Sequence, residues 1–217
     1  MKNMQTTLQN EITIKGVGLH SGKTMTMVLK PAAANAGIVF IRTDMAADIN
    51  RVEAISGNVV DTRLCTVIGN THGAAVGTIE HVMSALRGLN IDNVEIEIDG
   101  AEVPIMDGSA LPFVAAIEKA GVQKLAAPRK IIRVLREVAY EEDGKIARLS
   151  PSELSVYSGV VDYGENIIGE QEYSVTLLNG NFVHDIAAAR TFCFERDVEL
   201  MRANNLALGG SLENAVV

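Results

Sequence analysis

Thr78-Ile79-Glu80-His81-Val82-Met83-Ser84-Ala85-Leu86-Arg87-Gly88, followed shortly by Val94-Glu95-Ile96-Glu97-Ile98, decides the fold class of this chain. Ile79, Val82, Met83 and Leu86 recur at i, i+3, i+4 and i+7, the spacing that gathers apolar side chains into one stripe of a helix. Thr78 is placed to cap its start and Gly88 to end it. From Val94 the period falls to two, which is the alternation of a half-buried strand. Glu80 lies off the apolar stripe and His81 borders it, so the helix carries two polar groups next to its buried face.

Towards the N-terminus the pattern is β. Residues 13–19 lead into the turn Ser21-Gly22-Lys23, then Thr24 to Lys30 alternates until Pro31, and Ile38-Val39-Phe40-Ile41 is a short buried strand. Towards the C-terminus a second helix is expected over 110–120, with Ser109 as its cap, Pro112 in its first turn and Gly121 just beyond its end. Residues 124–130, with Ala-Ala-Pro and little periodicity, read as a domain boundary. After it, strands are expected near 131–135, 137–142, 145–149, 154–161 and 171–177, with helices near 180–188 and 195–204. Strands in runs with helices segregated from them give an α+β class. The reading is two domains, each a mostly antiparallel sheet layered with helices. Residues 1–126 form the first and carry Glu80-His81; residues 127–217 form a second, incomplete one. The final Ala215-Val216-Val217 reads as the opening of a buried strand, so the chain is expected to be cut short.

A formal charge of −8 disfavours non-specific nucleic acid and anionic membrane binding. Only Cys65 and Cys193 are present, too few for a disulfide framework, which fits a reducing cytoplasm. The polar N-terminus has no signal-peptide core, and no run approaches the roughly 18 apolar residues of a spanning helix. Gly16-Val17-Gly18-Leu19-His20-Ser21-Gly22-Lys23-Thr24 superficially suggests a phosphate loop. However, Val17 stands where that motif needs Gly, and a strand follows where it needs a helix. A Gly-rich β-turn with His20 at its edge is the better reading.

Taken singly, the polar groups are ambiguous. Glu80-His81 lacks a second histidine at i+4, where Ala85 stands, so it is no metalloprotease helix. Neutral imidazole is nevertheless a good zinc ligand, and an adjacent carboxylate can act as a base. Thr191, in Ala189-Arg190-Thr191-Phe192, offers a hydroxyl to a developing oxyanion, or pairs across a sheet. His72 and His184 read as solvated or core-edge residues, and the two cysteines as buried structural thiols.

Several motifs occur in one order: Gly16 to Gly22, Asp61-Thr62-Arg63-Leu64-Cys65-Thr66, Thr78-Ile79-Glu80-His81, Gly88-Leu89-Asn90-Ile91-Asp92-Asn93, Pro104-Ile105-Met106-Asp107-Gly108-Ser109-Ala110, Ala189 to Phe192, and Leu208-Gly209-Gly210-Ser211. In this the chain closely resembles, over nearly its whole length, the zinc-dependent UDP-3-O-acyl-N-acetylglucosamine deacetylases of Gram-negative bacteria. The resemblance implies hydrolysis of the sugar 2-acetamido group in lipid A (lipopolysaccharide) biosynthesis, at a site between two α+β domains. It makes His81 a zinc ligand, Glu80 the general base that activates the attacking water, and Thr191 the hydroxyl that steadies the oxyanion. It places Leu64, Cys65, Phe192, Val198, Ala207, Gly210, Ser211 and Leu212 at the substrate, with residues 195–212 forming an apolar passage for the acyl chain and His20 a further possible site residue. The family takes its other two zinc ligands from a His-Lys-x-x-Asp segment that these 217 residues do not contain. The Zn2+ site is therefore incomplete here, and the chain alone is expected to be inactive. Its partner is the nucleotide-sugar substrate, with no nucleic acid and no integral membrane segment. The sequence does not fix the oligomeric state; a monomer is the expectation for the complete chain. The alternative is a non-catalytic relative that binds a nucleotide-sugar or acyl ligand and ends at Val217.

Overall fold

The alternating strand Val94–Ile98 lies at the middle of the largest sheet, with Val94, Ile96 and Ile98 fully buried on one face. The structure, a computed structural model, describes residues 4–164, 167–178 and 180–217; residues 1–3, the start of the polar N-terminal stretch, lie outside them. The strands are β1 (Met4–Leu8), β2 (Ile12–Val17), β3 (Thr24–Pro31), β4 (Ile38–Arg42), β5 (Arg51–Glu53), β6 (Val59–Asp61), β7 (Val67–Gly69), β8 (Ala75–Val76), β9 (Val94–Ile98), β10 (Val122–Pro128), β11 (Val138–Glu142), β12 (Lys145–Leu149), β13 (Val156–Asp162) and β14 (Glu170–Thr176). The helices are α1 (Glu80–Gly88), α2 (Leu111–Ala120), α3 (Phe182–Asp185) and α4 (Glu195–Ala203). None is long and apolar enough to cross a membrane.

Two compact units are present, residues 1–129 with 186–217, and residues 130–185. The first holds a five-stranded sheet in the order β2-β3-β9-β4-β5, antiparallel except for β4 against β9. Met25, Met27 and Leu29 of β3 extend the apolar face of β9. The pleat sends Glu95 and Glu97 to the opposite, wetter face, where Arg51 and Lys30 each pair with one of them at 2.7 Å. Helices α1 and α2 pack together. Their buried residues, Val82, Ala85 and Leu86 on one and Phe113, Val114 and Ile117 on the other, keep the 3.6 period of the sequence. A three-stranded sheet, β6-β7-β8, and the pair β1-β10 complete the strands of this unit. The second unit holds two hairpins, β11-β12 and β13-β14. The whole is α+β, with mostly antiparallel sheets and a few helices.

Several local expectations need correction. Thr78 does not cap α1: it sits at φ 56°, and its hydroxyl donates to Glu102 instead. Ser109 lies one residue before the cap position of α2, although its Oγ accepts the Leu111 N–H at 3.1 Å. Residues 122–128 are an edge strand paired with β1, where Pro128 at the end costs the ladder little. Residues 131–135 form no strand, and Ile131, Ile132 and Leu135 are exposed. The helix near 180–188 is a single turn, Phe182–Asp185. Residues 186–217 group with the first compact unit.

Candidate active site

Helix α1 begins on Glu80, an acidic residue in the first turn, where the helix dipole favours negative charge. Its Oε2 accepts the Thr66 N–H at 3.0 Å. That bond fixes the carboxylate and leaves its other oxygen without a hydrogen bond among the described residues. His81 follows, half-buried beside the apolar stripe. Burial pushes its imidazole below the ordinary value, against the opposing pull of Glu80 and Asp107. Burial thus favours the neutral ring, the form that can ligate a metal.

Asp107 belongs to a tight loop in which Met106 and Gly108 both have positive φ, 57° and 84°. Its Oδ1 accepts the Ser109 N–H and Oγ–H at 2.9 and 2.8 Å, which locks the turn. This loop receives the Thr191 segment: the Thr191 N–H donates to the Gly108 carbonyl at 2.8 Å, and Arg190 Nε to the Asp107 carbonyl at 2.7 Å. On its other side, Val216 donates to the Thr191 carbonyl at 3.0 Å, and Phe192 bridges Val216 in parallel. Thr191 is held entirely by its backbone, and its hydroxyl makes no hydrogen bond among the described residues. This loop therefore holds the Thr191 segment, and the Asp107 charge is one of the two that oppose the effect of burial on His81.

Gly108 is indispensable to that loop. A Cβ there would be driven into the Asn214 carbonyl oxygen and would sit 3.3 Å from Thr191 Cγ2, at a φ that L-residues avoid. Gly108→Ala is expected to destabilise the protein by more than the roughly 1–2 kcal/mol of the left-handed backbone alone, read as a lowered denaturation midpoint. A midpoint equal to wild type would contradict this packing.

The remaining expected site residues are dispersed. A cavity of ≈ 810 Å³ is lined by His20, Leu64 and Cys65, together with Thr78, Glu102 and Leu206. Leu64 is 56 % exposed there. Burial pushes the Cys65 thiol above its ordinary range, with a Thr78 hydrogen bond opposing and Glu80 and Glu102 adding to the rise. His20 has both ring nitrogens buried and unpartnered among the described residues. Glu80, His81, Thr191, Phe192, Val198, Ala207, Gly210, Ser211 and Leu212 do not line this cavity. Phe192 is 44 % exposed, Leu212 74 % exposed, Val198 half-buried on α4, and Ala207 buried at φ 52°. Gly210 is half-buried, and Ser211 opens a turn whose Oγ accepts the Glu213 N–H.

Two residues not singled out from sequence matter here: Asp107, through its charge on His81, and Glu102, a buried carboxylate. An acid directly before the apolar run Val103-Pro104-Ile105 was the available signal for Glu102. Among the described residues no three His, Cys, Asp or Glu come together as a metal-ligand set.

The LpxC family, described as UDP-3-O-acyl N-acetylglycosamine deacetylase, matches residues 5–217. The chain is 48% identical over 215 residues to a UDP-3-O-acyl-N-acetylglucosamine deacetylase of Chromohalobacter salexigens, covering 98% of this chain and 70% of that protein. A protein of the same description from Citrifermentans bemidjiense is 49% identical over 213 residues, covering 98% of this chain and 69% of the relative. One from Campylobacter hominis is 42% identical over 213 residues, covering 98% and 71%. With its folding units, its Glu-His helix and these relatives taken together, the chain belongs to the UDP-3-O-acyl N-acetylglycosamine deacetylase family, whose members are amide hydrolases.

Proposed function

We propose that this chain supplies the base, one metal ligand and the oxyanion donor for zinc-dependent hydrolysis of the 2-acetamido group of a UDP-3-O-acyl-N-acetylglucosamine, in cytoplasmic lipid A biosynthesis. The observation that carries this reading is the half-buried His81 imidazole next to Glu80, whose carboxylate is fixed by the Thr66 N–H at 3.0 Å.

A neutral, half-buried imidazole with carboxylates in its field suits one nitrogen position on zinc. The family's other two ligands come from a His-Lys-x-x-Asp segment that is not among these residues. A single imidazole holds zinc weakly. When bound, zinc lowers the pKa of water to about 7 and polarises a carbonyl. Glu80, oriented by the Thr66 N–H, takes the proton of the water attacking the acetamide carbon. Thr191 donates its free hydroxyl to the oxyanion that forms there. The C–N bond then breaks, the sugar nitrogen takes up a proton, and acetate leaves.

Leu64, Cys65, Phe192, Val198, Ala207, Gly210, Ser211 and Leu212 contact the substrate in this reading, with residues 195–212 guiding the acyl chain and His20 nearby. The division near residue 126 goes with the same reading, as does a monomeric complete protein. The product of the complete reading frame is expected to release acetate from the UDP-sugar and to lose that activity to a chelator. The 217 residues alone are expected to release none above background. Chelator-sensitive release by the 217 residues would overturn the incomplete-site reading, and a complete product with no release would favour a non-catalytic binding relative.

A further inference from the structure

We propose that Glu102 is a positioning residue: it holds the start of the Glu80-His81 helix and the 205–212 segment at a fixed spacing, and so tunes which acyl chains the site accepts. The inference rests on the deacetylase reading above and names a residue that reading does not use.

Glu102 is only 6 % exposed, and none of the ion pairs among the described residues includes it. A buried carboxylate without a cation persists only where hydrogen bonds to the charged form replace its water. Three donors do so. Oε1 accepts the His20 N–H at 2.7 Å and the Thr78 hydroxyl at 3.2 Å, and Oε2 accepts the Ser21 N–H at 2.9 Å. One side chain thus joins the residue two before Glu80 to the Gly-rich turn. The approach is too close for any side chain on Gly18, whose Cβ would collide with Glu102 Oε2 and Ser21 Oγ.

The turn in turn grips the far segment. The Leu208 N–H donates to the His20 carbonyl at 3.2 Å, and the Gly209 N–H to the Leu19 carbonyl at 3.0 Å. A Cβ on Gly209 would strike the Gly18 carbonyl oxygen, so this contact is also backbone against backbone. Among the described residues the His20 and Ser21 amides bond only to Glu102, while Gly18 and Gly22 are tied within the turn itself. Cys65, Thr78, Asn205 and Leu206 line the same cavity as Glu102. The path from Thr78 through Glu102 and the turn thus ends on Leu208 and Gly209, in the segment that guides the acyl chain in the deacetylase reading, and runs beside the backbone bonds Gly77–Ala101 and Ile105–Val17.

Glutamine has the length of Glu102 but turns one acceptor into a donor, facing an N–H that then has no partner. In the complete protein, Glu102→Gln is expected to lower the ratio of kcat/KM for a long 3-O-acyl substrate over a short one by about tenfold, mainly through KM. Thr78→Ala cuts the helix end of the path, together with the hydrogen bond between the Thr78 side chain and Cys65, and is expected to shift the ratio in the same direction; it carries the test, read by exchange at Leu208 and Gly209, if Glu102→Gln fails to fold. Amide hydrogen exchange supplies a readout that needs no turnover. Glu102→Gln should speed exchange at His20 and Ser21 and also at Leu208 and Gly209. Equal loss for both acyl lengths, or no loss, would overturn the proposal by reducing Glu102 to a stabilising role. Faster exchange at His20 and Ser21 with Leu208 and Gly209 unchanged would overturn the relay. A wild-type protein that releases no acetate contradicts the deacetylase reading instead, and the exchange pattern then decides the relay by itself.

Discussion

Glu80→Gln in the complete protein is expected to lower kcat for acetate release by about 10²–10⁴-fold, the range of a lost general base. The amide oxygen can still accept the Thr66 N–H that fixes Glu80 Oε2 at 3.0 Å, so the side chain keeps its place and loses its proton affinity. Single-turnover acetate release separates this chemical step from binding, and KM should change little. Wild-type kcat in this variant would move the base to another residue. Asp107 is the next carboxylate to test, since its charge also reaches His81.

Thr191→Val carries the second large effect. It keeps the branched shape and removes only a hydroxyl that has no hydrogen-bond partner among the described residues. The backbone bonds to Gly108 and Val216 that hold the segment remain. Stability should therefore stay close to wild type, while kcat falls by about 10²–10³-fold, as when one oxyanion donor is lost. A fall in stability with kcat preserved would identify Thr191 as a packing residue only.

The parts of this fold legible in sequence are those set by local period. Ile79, Val82 and Leu86 on α1, and Val94, Ile96 and Ile98 on β9, are buried as their spacing requires. Long-range partner choice was not legible. Residues 122–128 look like a linker because their alternation is poor, yet β1 takes them as an edge strand. Residues 131–135 look like a strand, but no pairing takes them up. Thr78 has the composition of a cap, but it sits in the left-handed region and gives its hydroxyl to Glu102, a partner distant in sequence. In the candidate site, motif order named Glu80, His81 and Thr191. It gave no hint that a positive-φ loop at 106–108 would hold the Thr191 segment, because that link runs through a backbone carbonyl. Glu102 escaped notice for a related reason: its partners are backbone amides, and an amide leaves no mark in the sequence.

The central claim is that His81 is a metal ligand with Glu80 beside it as the base. Zinc affinity of the complete protein, measured by competition with a chromophoric chelator for wild type and His81→Ala, tests it most directly. The account predicts that His81→Ala weakens zinc binding by well over about 10²-fold, beyond the range of a change in outer-shell support, while the fold is retained. Equal zinc affinity in the two proteins would contradict it.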